Sequence, residues 1–122
     1  MTAAVSEAVR RLGIVSRDYE RLANEYRDIA QDAAQAESDY RKAKAQRMLR
    51  ATVEEGASAA KAEIIADADD LVATMCTNYK VTAALSDATR AKLTQLREQV
   101  AVGRSMMVAE RESDRIHAGS AT

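Results

Sequence analysis

Residues 5–43 read VSEAVRRLGIVSRDYERLANEYRDIAQDAAQAESDYRKA. Stepping from Val5 alternately by three and four meets Ala8, Leu12, Val15, Tyr19, Leu22, Tyr26, Ile29, Ala33, Ala36, Tyr40 and Ala43 without touching a charged residue. The positions between are mostly Arg, Asp, Glu and Gln, which gives one apolar stripe facing a partner helix and the opposite face to water. Composition points the same way. The chain is 47% hydrophobic but only 3% aromatic, has no Pro, Phe or Trp, and carries 26 Ala against 26 Val, Ile, Leu and Met together. Such a chain is rich in helix formers and poor in turn residues, and its core must be thin. The expected fold is all-α: a long antiparallel helical hairpin, coiled-coil-like, with a short helix at the turn, associating into a helical bundle.

Outward from the seam, Gly13 is the weak point, since glycine costs about 1 kcal/mol against alanine inside a helix. Ser16 can cap a fresh helix whose first turn carries Asp18 and Glu20. The sequence therefore predicts a short helix over 1–15 and a long one over 16–54. Past Ala43 the strict seam would run onto Arg47 and Arg50, so the apolar stripe is expected to move to Met48, Leu49, Thr52 and Val53. Glu54-Glu55-Gly56-Ala57-Ser58 is the turn signal, glycine taking the left-handed conformation and Ser58 capping the next helix. A turn and short acidic helix over 55–70, anchored by Ile64 and Ile65, lead to a second long helix over 71–116. Its expected stripe is Leu71, Met75, Tyr79, Thr82, Leu85, Thr89, Leu93, Leu96, Val100, Gly103 and Met107, with a stutter at 85–93. At about 1.5 Å per residue these long helices predict a rod of roughly 55 to 70 Å with a fraying tail at 117–122.

A net charge of −1 excludes a globally basic nucleic-acid binder. No run approaches the ~20 apolar residues of a membrane span, so no membrane partner is expected. The opening MTAAVSEAVRR lacks an apolar signal core, which predicts a cytoplasmic location. One Cys and one His make neither a disulfide framework nor a zinc site. Asp67, Asp69 and Asp70 have the look of a cation loop, but the glycine and glutamate that an EF-hand requires are missing. No nucleophile–base set, P-loop or dinucleotide fingerprint is present. The sequence thus names no catalytic, metal or cofactor residue, no cofactor and no enzyme class.

The most unusual local composition is Tyr40-Arg-Lys-Ala-Lys-Ala-Gln-Arg-Met-Leu-Arg50, five cations without an acid. Arg41, Lys42, Lys44, Arg47 and Arg50 could track phosphates and release counterions. Alternatively they complement the negative end of the helix, with Arg47 and Arg50 laying their stems over the last core layer and reaching the acids beyond Glu54. The second reading is favoured. The four tyrosines could stack on bases, but on a seam they are expected to pack inward. Tyr19, Leu22, Tyr26, Ile29 and Tyr40 on the first helix, and Tyr79, Leu85, Leu93, Leu96 and Val100 on the second, are the expected seam-packing residues.

A Tyr-spaced first helix ending in a basic stretch (Tyr26, Tyr40, Arg41, Lys42, Lys44), an acidic short helix (Glu63 to Asp70), and Tyr79 opening a long helix with Arg104 and Arg111 form a pattern over residues 16–116. This resembles small phage-encoded helical hairpin proteins of Gram-positive phages and prophages, often encoded near recombination or replication genes. The resemblance implies an accessory protein in a bacterial host cytoplasm. That family supplies no established activity to carry onto a residue. The expected function is therefore non-enzymatic, through self-association and contact with a protein partner. Nucleic-acid binding by 41–50 in recombination or replication is the less favoured alternative.

Overall fold

The computed structural model describes residues 3–120, which form three helices and no strand: α1 (Ala3–Glu55), α2 (Ala59–Ala68) and α3 (Asp70–Ser120). The fold is an all-α helical hairpin with a short helix at the turn. Two compact units divide it, one holding the segments up to Glu25 and from Thr89 onward, the other Tyr26–Ala88.

In the first unit, α1 runs unbroken through Gly13, so the expected break before Ser16 does not form. The glycine penalty is outweighed locally. Leu12 and Val15 keep the seam half-buried on both sides, and Leu12 Cδ1 lies so near Gly103 of α3 that a Cβ there would meet it at 3.2 Å. Glu7 ties the preceding turn by accepting from Arg10 Nη2 at 2.7 Å and Arg11 Nε at 2.9 Å. Among the described residues of this unit, Val5 and Leu96 are the buried large hydrophobics, at 2% and 6% exposure. At the far end, α3 is helical through residues 117–120, with His117 in its last turn. Residues 121–122 of the expected tail lie outside the described residues.

In the second unit, the chain reverses where the sequence places the turn. Gly56 takes φ +66, and the Ala57 amide donates to the Ala51 carbonyl at 3.1 Å. Ser58 caps α2, its Oγ accepting from the Lys61 amide at 3.3 Å. Asp69 then opens α3, its Oδ1 accepting from the Val72 amide at 3.1 Å. The packing here is built from alanine. Ala51, Ala57 and Ala62 form a buried cluster, with Met48 and Ile65 against it. Two expectations are corrected. Leu49 and Val53 are 65% and 72% exposed and Thr52 is exposed, because the stripe passes through Lys44, Arg47, Met48 and Ala51 instead. Ile64 is exposed, and α2 docks on Ala62 and Ala66, whose small side chains allow close approach.

Along α3 the least exposed positions are Val72, Met75, Tyr79, Thr82, Ser86, Thr89, Leu93, Leu96, Val100, Gly103 and Met107, an uninterrupted alternation of three and four. The stutter does not exist. Leu85 is 53% exposed and Leu71 59% exposed, and their places are taken by Ser86 at 7% and Val72 at 2%. A helix turns about 100° per residue, so burying Leu85 would rotate the following seam residues outward; the regular repeat holds with a small Ser instead. Threonines are accommodated by bonding back to their own helix, as Thr74 does to the Asp70 carbonyl and Thr82 to that of Asn78.

Candidate functional site

The basic end of α1 and the acidic residues around α2 meet within the second unit. Lys44 Nζ lies 3.1 Å from Asp67 Oδ1 and 3.4 Å from Glu63 Oε1. Arg47 reaches Glu55 Oε1 through Nη2 at 3.1 Å and Asp69 Oδ2 through Nε at 3.4 Å. Because Asp69 also caps α3, one carboxylate joins the end of α1 to the start of α3. The Arg47 side chain is only 16% exposed, and its Nη1 is buried without a hydrogen-bond partner. Hydrogen bonding to Asp67 raises the pKa of Lys44 against the opposing effect of desolvation, so it stays charged.

This clamp decides how much of the basic run remains available. Arg41 pairs with Glu37 one turn earlier. Lys44 and Arg47 are committed to four acids. Lys42 and Arg50 are exposed and have no ion pair among the described residues. Arg47 follows the expectation that its head reaches the acids beyond Glu54, whereas Arg50 does not. The tyrosines are equally occupied: Tyr40 and Tyr79 stack on one another, centroids 5.7 Å apart and planes at 15°, while Tyr19 and Tyr26 are half-buried. Leu22, Ile29, Leu93 and Val100 are also half-buried. Asp67 and Asp69, two of the three aspartates with the look of a cation loop, are partners of Lys44 and Arg47.

A second feature escaped the sequence reading. In the first unit a trough of about 650 Å³ runs between α1 and α3, lined by Ala4, Ala8 and Leu12 of α1 and by Val102, Gly103 and Met106 of α3. Val102 and Met106 are 58% and 55% exposed. The available signal was their apolar character beside the seam, at 102 and 106, where a solvated helix face would carry charge. Compared with protein-family models, curated proteins and solved structures, the chain finds no match. No described helix is long and apolar enough to cross a membrane.

Proposed function

We propose that the protein is a non-enzymatic accessory, in a phage or prophage setting, that acts by self-association and by binding a protein partner through its helical surfaces. The observation that carries this reading is the imbalance between core and surface. Among the described residues eight hydrophobic side chains are buried, five of them alanines, while twelve large hydrophobics are exposed. The chain exposes 8651 Å², whereas a compact protein of 13.3 kDa exposes roughly 6450 Å². The surplus of about 2200 Å² exceeds the ~800 Å² that each partner covers in an interface of standard size.

Nucleic-acid binding through 41–50 is the weaker alternative, because three of its five cations already have acidic partners and phosphate would have to displace them. Two measurements test the reading. The melting temperature should rise with protein concentration, since association stabilises only the folded chain. Fluorescence anisotropy with a labelled 40-mer, single- and double-stranded, should show no sub-micromolar binding at about 150 mM salt. Sub-micromolar binding abolished by Lys42→Glu with Arg50→Glu, which spares the clamp, would replace this reading with the nucleic-acid one.

A further inference from the structure

We propose that α2 is an autoinhibitory latch: docked, it and its flanking acids occupy Lys44 and Arg47, and released, it completes a cation stripe on α1 that binds the phosphate backbone of a nucleic acid. This adds to the reading above, in which the docked chain leaves nucleic acid unbound, and does not depend on self-association. Arg41, Lys44, Arg47 and Arg50 recur every three residues. A helix turns about 100° per residue, so Arg41 and Arg50 lie on opposite sides of α1 and cannot meet one ligand by themselves. Lys44 and Arg47 fill the arc between them, making a slanting stripe roughly 13 Å long. Those two are the cations that are covered. Lys44, 23% exposed, is held by Asp67 and Glu63 of α2 at 3.1 and 3.4 Å. Arg47, 16% exposed, is held by Glu55 and Asp69 on either side of α2.

The cover is lightly held. α2 has 10 residues, fewer than the ~12–15 at which an isolated helix becomes even marginally stable in water, so docking keeps it folded. Of its side chains only Ala62 and Ala66 are buried and Ile65 half-buried, and the rest of the helix is exposed. Glu63 and Asp67 are 59% and 55% exposed, so each pair with Lys44 contributes a factor of about five or less to the docking equilibrium and weakens with salt. α2 therefore belongs to the low-stability end of the fold, where segments open before the whole chain unfolds. Opening withdraws the acids and exposes the stripe in one step. Three of its four cations are arginines, whose planar fork matches phosphate, and a nucleic-acid backbone repeats that group along its length.

The test uses the full chain and the variant Glu63→Gln/Asp67→Asn, which frees Lys44. Hydrogen exchange followed amide by amide should be at least about fivefold faster in α2 of the variant than in wild type, with the amides of residues 90–97 of α3 unchanged. Fluorescence anisotropy with a labelled single-stranded 40-mer at about 50 mM salt should show the variant binding at least about tenfold more tightly than wild type, because apparent affinity scales with the open fraction. Glu54→Gln/Asp70→Asn removes two exposed acids that hold no cation among the described residues; this charge-matched control should gain about twofold or less. Adding Lys44→Gln/Arg50→Gln to the latch variant, which deletes half of the stripe, should remove the gain. Exchange that is unaltered in α2, or accelerated equally throughout the chain, overturns the latch. An equal gain in the control reduces the effect to net charge and overturns the masking. No gain in the latch variant, or a gain that survives loss of Lys44 and Arg50, overturns the stripe. None of these outcomes bears on self-association, which is read separately by mass.

Discussion

Replacing Arg47 probes the clamp that joins the end of α1 to the start of α3. Arg47→Met keeps an unbranched apolar stem and removes the bonds to Glu55 and Asp69. Breaking a fully buried pair costs about 3–5 kcal/mol, and an exposed pair contributes ~1 kcal/mol or less. Arg47 is 16% exposed, whereas Glu55 and Asp69 are 45% and 25% exposed, and Nη1 has no partner. These put the expected loss near the middle, at about 2 kcal/mol. Asp69→Asn removes the charge but retains a capping oxygen, for about 1 kcal/mol, and Asp69→Ala adds about 1 kcal/mol for the lost cap. The assay is urea unfolding followed by circular dichroism at one fixed protein concentration, because association contributes to apparent stability. A double-mutant cycle of Arg47→Met with Asp69→Asn should give a coupling of about 1 kcal/mol. A change below about 0.5 kcal/mol for Arg47→Met would refute the clamp as a structural element.

Glycine substitutions should differ in sign: Gly13→Ala, which meets nothing within 4 Å in a helix interior, should stabilise by about 0.5–1 kcal/mol, and Gly56→Ala, at φ +66, should destabilise by about 1 kcal/mol; equal shifts in urea midpoint would contradict both assignments. Leu96→Ala should cost about 2–4 kcal/mol and Leu85→Ala under about 1 kcal/mol, as their exposures of 6% and 53% require; the reverse order would restore the stutter. The Glu7 carboxylate, held down to about 2 by hydrogen bonds from Arg10 and Arg11, should titrate well below the ordinary 4.5 by NMR, and Arg10→Ala/Arg11→Ala should return it there. A depressed carboxylate contributes its stabilisation above about 4.5 and loses it as pH falls toward about 2, so any Glu7→Gln effect on N-terminal helicity should vanish in that window.

The seam of α1 was legible because its twelve positions from Val5 to Ala43 repeat without interruption, and all twelve are buried or half-buried. Where residue size and period conflicted, the period governed: Ser86 sits in the seam and Leu85 outside it, which hydrophobicity alone misreads. The same bias toward large residues selected Ile64 over Ala62 and Ala66 as anchors of α2, although close helix approach favours the smaller side chain. Gly13 was read by propensity, and tertiary contacts on either side overrode it. In the basic run the sequence indicated that acids beyond Glu54 would answer the cations. It pointed to Arg47 but took Arg50 with it and did not pick out Lys44, because that choice depends on where α2 folds back. The trough was illegible for a related reason: its walls come from residues about 100 apart in the chain, joined only by antiparallel pairing within the first unit.

Self-association, as proposed above, would complete the thin core of this chain with another copy of itself. Sedimentation equilibrium on the wild-type chain across a tenfold range of micromolar concentrations tests it most directly. The predicted result is a mass of about twice 13.3 kDa at the upper end, falling toward the single-chain value on dilution. A mass of 13.3 kDa at every concentration, together with a cooperative melt independent of concentration, would contradict it.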